Sequence, residues 1–205
     1  MPTMTASTTP CCRNITERCL QIVAWLVTAF TLIFSAPVLA DTPSIRYAEI
    51  VPDRGDYVIN ADVSLELNPR IIEAIDQGVT INFVAEASIE SPRWYWFDQT
   101  IATGRLEFRL SYHPMTRSYR LGIGSLHQTF NSLDSAVRTM LRIRRWAITP
   151  MKSLTAGESY NVRVRFRLDN ALLPRPFLVS TLGNHDWQVE TDWLSWTFLA
   201  SPVIP

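Results

Sequence analysis

Beyond residue 40 this chain has no cysteine, since Cys11, Cys12 and Cys19 all precede that point. No disulfide or thiolate metal site can therefore staple the larger part of the chain, and no thiol nucleophile is available there. Lysine is nearly absent, with Lys152 the single example, so arginine carries almost all of the positive charge. Histidine is confined to His113, His127 and His185. No Gly-x-Ser-x-Gly elbow exists. The charges balance at 19 basic and 19 acidic residues, so nothing advertises nucleic-acid binding.

What is present starts at the N-terminus. Arg13 and Arg18 precede an apolar run from Leu20 to Phe34, and Ala36-Pro37-Val38-Leu39-Ala40 follows. That order predicts a secretory signal peptide cleaved between Ala40 and Asp41. The run is shorter than the roughly 20 residues a spanning helix needs, although Leu20 to Ala40 read as one segment could serve as an uncleaved anchor. The small-residue site and the short core favour cleavage. The expectation is a periplasmic protein with residues 1–40 removed, residues 41–205 forming one β-rich domain, and no stable membrane span after cleavage. Asp41 at the junction excludes a lipoprotein, and no paired arginines precede the run to signal a twin-arginine route. Removing Arg13, Arg18 and Glu17 with the leader leaves one net negative charge.

Alternation of period two dominates the rest. Ile59, Ala61, Val63, Leu65 and Leu67 share one face of a predicted strand over 57–67. Val79 to Ile89, Leu106 to Tyr112 and Tyr160 to Leu168 repeat the pattern, and Ser118 to Ile123 follows a turn at His113-Pro114-Met115-Thr116. One wet side per strand favours antiparallel pairing. Two helices interrupt the sheet. Asn68 caps the first, with Pro69 leading, Ile71, Ile72 and Ile75 inward and Gly78 as the stop. The second is expected from Asn131 or Ser132 to about Trp146, with Leu133, Val137, Met140 and Leu141 inward and Arg138, Arg142 and Arg145 outward. A last strand pair is expected around Trp187 to Val189 and Trp193 to Phe198. The fold class is therefore α+β, mainly antiparallel, a sandwich or strongly curved sheet with two packed helices.

Candidate binding residues fall in two groups. Trp94-Tyr95-Trp96-Phe97 places aromatics on both faces of a strand, and Trp94 and Trp96 could stack on sugar rings or meet a partner unless both faces are covered. Trp187, Trp193 and Trp196 invite the same split reading. Arg163, Arg165 and Arg167 line one strand face, where they could meet acidic partners or lipid phosphates. The plainer reading is a solvated face whose arginines pair with Asp and Glu elsewhere on the sheet. Asp62 with Glu66, and Glu86 with Ser88, share strand faces; the separation that would mark a carboxylate-pair enzyme is spatial and hidden in a sequence, and wet strand faces ordinarily carry such groups. Gly183-Asn184-His185-Asp186 is similar to one metal-binding motif of calcineurin-like phosphoesterases, but that family's companion segments are missing, and the tetrapeptide reads as a turn. No catalytic residue, metal or cofactor is expected.

Taken together, the leader, the Pro-started helix, Trp94-Tyr95-Trp96, Leu173-Pro174-Arg175-Pro176 and the closing Trp187…Asp192-Trp193-Leu194-Ser195-Trp196 resemble a family of uncharacterised exported proteins of proteobacteria. The resemblance covers residues 44–199. It implies a domain of unknown function, a periplasmic location and a gene often near those for a nitrogen-regulation-type sensor histidine kinase and a ribosomal RNA methyltransferase. The reading is a non-enzymatic binding or accessory module of the envelope, with a membrane sensor as its expected partner. An envelope enzyme acting on glycan or lipid, and a structural envelope-assembly factor, stand as alternatives.

Overall fold

The computed structural model describes residues 42–93, 98–173 and 187–202. Contacts divide the chain between Ala40 and Asp41, and every described residue belongs to the second unit, Asp41–Pro205. Trp94, Trp96, the tetrapeptide 183–186 and the junction Ala40–Asp41 lie outside the described residues.

Among the described residues, nine antiparallel strands form two sheets. The smaller has the order β1 (Ser44–Asp53), β2 (Asp56–Ser64), β7 (Arg142–Pro150). The larger runs β6 (Leu126–Phe130), β5 (Ser118–Ile123), β4 (Gln99–His113), β3 (Ile81–Ser91), β8 (Ser159–Leu168), β9 (Leu194–Leu199). The hairpin between β1 and β2 turns on Arg54 and Gly55, both at positive φ (50° and 92°), which is the backbone a two-residue turn needs to follow the strand twist.

Two short helices cross between the sheets. Helix α1 (Pro69–Asp76) starts where Asn68 Oδ1 accepts the Arg70 N–H at 3.0 Å, and it buries Ile71, Ala74 and Ile75. Helix α2 (Leu133–Met140) starts where Ser132 Oγ accepts the Ser135 N–H at 3.3 Å, and it buries Ala136 and Met140.

The inward rows of both sheets meet in one apolar cluster. Ile59 and Ala61 of β2, Phe83, Ala85 and Ile89 of β3, and Val162, Val164 and Phe166 of β8 are all at most 1 % exposed. Phe166 is the hinge of the aromatic packing, stacked on Phe83 and tilted against Phe108, each at 5.7 Å between centroids. The chain also closes on itself. Tyr57 Oη accepts the Ser201 N–H at 2.8 Å and donates to the Ser201 carbonyl at 3.3 Å, across 144 residues of sequence.

Three sequence expectations are corrected. The second helix ends at Met140, and Arg142 to Trp146 belong to β7, where pairing with β2 overrides a helical period that those residues also fit. Around Trp187 to Val189 the pairing shrinks to an isolated bridge between Glu190 and Arg167. Strands β1 and β6 were not expected, because neither Ser44–Asp53 nor Leu126–Phe130 alternates cleanly between buried and exposed.

Candidate functional site: a charged lattice on the outer face of the large sheet

Period two fixes this face. Burying Ala85, Ala87 and Ile89 sends Glu86, Ser88 and Glu90 outward on β3, and burying Val162, Val164 and Phe166 sends Arg163, Arg165 and Arg167 outward on β8. Register then decides the partners. Glu86 stands directly opposite Arg105 on β4 and Arg165 on β8.

Glu86 is the centre of the lattice. Its Oε1 accepts from Arg167 Nη2 at 2.8 Å and from Arg105 Nη1 at 3.4 Å, and its Oε2 accepts from Arg165 Nε at 2.8 Å. The Arg167 hydrogen bond, helped by Arg165, holds its carboxyl below the usual carboxylate range, outweighing a burial that pushes the other way. The same bond raises the Arg167 guanidinium.

Around this centre the remaining charges are matched. Arg163 pairs with Glu90, which also accepts from Ser88 Oγ at 3.3 Å. Arg165 reaches Glu190 Oε1 at 2.6 Å, and Arg105 pairs with Asp169 and, at 3.4 Å, with Glu107. Arg109 lies 3.7 Å from Glu107. Trp193 roofs the row, with the Arg165 and Arg163 guanidinium carbons 4.5 and 5.5 Å from its ring centroid.

The chemistry of such a surface is directional. Five arginines face five carboxylates, so the lattice attracts neither sign strongly and presents fixed donors, acceptors and one indole face instead. Two clefts flank it. One, of about 590 Å³, is lined by Arg167, Asp169, Asn170, Gln188 and Glu190, and Arg167 Nε and Asn170 Oδ1 are buried there without a hydrogen bond among the described residues. The other, of about 290 Å³, is lined by Glu90, Asp98, Asn161, Arg163, Trp196 and Thr197.

The structure thus brings Arg163, Arg165 and Arg167 together as sequence periodicity predicts, and gives each a carboxylate. Sequence reasoning did not find Arg105, Asp169 or Glu190 as members, because strand order is invisible in a single chain. Trp193 as the roof was among the open aromatic candidates. Among the described residues, no group of three or more His, Cys, Asp or Glu is placed to hold a metal ion, and no helix is long and apolar enough to cross a membrane.

Residues 40–197 match the family model described as Domain of unknown function (DUF4390). No curated protein and no solved structure matches the chain.

Proposed function

We propose that this chain, which belongs to the DUF4390 family of domains of unknown function, is an exported binding or accessory module of the cell envelope. The basic, apolar and small-residue order of residues 13–40 supports export, and the family match begins at residue 40, where cleavage is expected. Absence of cysteine from residue 41 onward suits a compartment where thiols oxidise.

The observation that carries the binding reading is Trp193 held over Arg163 and Arg165 at the edge of a neutralised lattice. An aromatic face backed by guanidiniums and ringed by matched charges has the composition of a protein-recognition hot spot. Strand β9 beside it ends the sheet and carries no charged residue over Leu194–Leu199. The partner we favour is the extracytoplasmic part of a membrane sensor kinase, on the gene neighbourhood that the resemblance implies.

The test is photocrosslinking in cells through a photoreactive residue at position 193, with capture repeated in an Arg163→Gln/Arg165→Gln background. Capture of a sensor protein that is lost in that background supports the reading. Capture that is indifferent to it, or absent, removes it. A second reading, a glycan-directed protein, draws on the smaller cleft, where Glu90 and Asp98 stand beside Trp196. Retention on peptidoglycan fragments that Trp196→Ala abolishes would favour it.

A further inference from the structure

A second polar region lies on the small sheet, away from the lattice. Strand β2 is flanked there by two irregularities at nearly the same height. On β1 the register slips between Ile45 and Tyr47, so Arg46 is an extra residue facing the step from Asp62 to Val63. On β7 it slips where Ile59 and Ala61 pair with Trp146 and Ile143, so Arg144 and Arg145 together face Asn60. Asn60 Oδ1 holds this second bulge by accepting the Arg145 N–H at 2.9 Å, and Arg145 sits at a φ of 53°, an uncommon backbone for a residue with a β carbon. Bulges of this kind re-aim side chains and gather beside functional sites.

The two bulges and helix α2 enclose an open cleft of about 680 Å³ into which Arg46, Arg138, Arg142 and Arg144 project, with Asp62 and Glu66 as its acidic members. Two of the four cations are already held. Arg144 donates to the Ala61 and Ile143 carbonyls at 3.0 and 2.8 Å and to Asp62 Oδ1 at 2.6 Å, and Arg138 pairs with Asp134 at 2.6 Å. The Arg46 and Arg142 side chains have no hydrogen bond or ion pair among the described residues, and of the cleft's acidic members Glu66 is without an arginine partner while Asp62 is shared with Arg144. The two residues stand on the strands at opposite edges of the sheet, β1 and β7, and both line the cleft, so an anion bound there is offered planar forks from both edges. Arg144, fixed by its carbonyls, supplies a third donor whose position costs little further ordering.

We propose that this cleft binds a phosphate group, with Arg46 and Arg142 as the direct ligands and Arg144 as a preorganised third. Forked donors converging from several directions suit the oxygens of a tetrahedral oxyanion, and arginine is the side chain best shaped for that contact. The phosphate could come from a soluble phosphoester or from an anionic lipid headgroup, and the cleft is wide enough to leave the rest of either molecule in solvent.

The experiment titrates residues 41–205 with inorganic phosphate by NMR, following backbone amides, and in parallel measures cosedimentation with phosphatidylglycerol vesicles against phosphatidylcholine vesicles. Shifts centred on residues 46, 60–64 and 142–145, and at least tenfold weaker binding in Arg46→Gln/Arg142→Gln, are expected. Arg120→Gln, which removes an exposed charge from the other sheet, should leave affinity unchanged. Response to phosphate alone points to a soluble ester, and response to phosphatidylglycerol alone to a headgroup. Binding of neither probe, shifts located elsewhere, or equal affinity in the double variant would overturn the assignment. Arg46 and Arg142 are exposed and unpaired among the described residues, so the double variant is expected to fold, and Arg46→Lys/Arg142→Lys checks the same point with charge retained. Weakened binding in the lysine variant identifies the fork geometry as the requirement.

Discussion

Gly104 on β4 and Ile148 on β7 meet across the gap between the two sheets, so closely that a β carbon on Gly104 would lie 2.6 Å from Ile148 Cδ1. The Trp146 ring closes the other side, 3.0 Å away at Cζ2. Glycine here is favoured by space and not by backbone conformation, since a β carbon would have to displace the Ile148 methyl and press on the Trp146 ring. Gly104→Ala should destabilise the domain by about 1–2 kcal/mol, the overpacking cost exceeding the smaller gain from a stiffer unfolded chain. Adding Ile148→Val removes the clashing methyl and should recover part of that loss, so denaturant unfolding of the two singles and the double should be non-additive.

Glu86 should set the acid limit of the fold. Its folded pKa is depressed, so its contribution is present above the unfolded value of about 4.3 and is lost as pH falls through the lower folded value. Denaturant unfolding across that range should show stability falling more steeply in the native protein than in Glu86→Gln. Near neutral pH the same variant leaves three arginines without their shared acceptor. With 19 % of the Glu86 side chain exposed, the cost should lie between surface and buried pairs, at about 2 kcal/mol.

Tyr119 should mark the alkaline side. Its hydroxyl donates to Asp76 Oδ1 at 2.8 Å, tying β5 to the end of α1, and this bond raises its pKa to about 12. A raised folded value means that the contribution is full below the unfolded value of about 10 and is lost as pH rises toward 12. Ultraviolet titration should therefore show a late step from Tyr119, beside the upward shift that the bond to Glu49 gives Tyr47. In Asp76→Asn that step should move to lower pH; an unchanged titration would mean that the bond to Asp76 does not form.

The Arg165 and Trp193 contact should be measurable by itself. A double-mutant cycle with Arg165→Gln and Trp193→Leu should give a coupling of about 0.5–1 kcal/mol, the range for a partly exposed cation over an indole. Because Arg165 also pairs with Glu86 and Glu190, the single Arg165→Gln should cost more than the coupling.

Much of the fold was legible wherever burial alternates without interruption. Tyr160, Val162, Val164, Phe166 and Leu168 are all buried, and the Asn68 cap and Pro69 start are where the sequence places them. Legibility fails at the bulges. A residue inserted into β1 or β7 breaks the period of two, which is why Arg142 to Trp146 read as a continued helix. The Arg163, Arg165 and Arg167 row was readable as a row. That its arginines pair with carboxylates elsewhere on the sheet was the plainer expectation; which carboxylates was not readable, since Glu86 and Glu90 become its neighbours only through the placing of β3 beside β8.

The bond between Tyr57 and Ser201 has a bearing on the order of events in the life of the chain. Synthesis proceeds from the N-terminus, so Ser201, which latches the first hairpin, is made 144 residues after Tyr57. A nascent chain that has not yet reached β9 lacks both that strand, at one edge of the large sheet, and the latch. Until residue 201 has been added, the first hairpin is without this long-range tertiary lock, whatever local structure it has already formed.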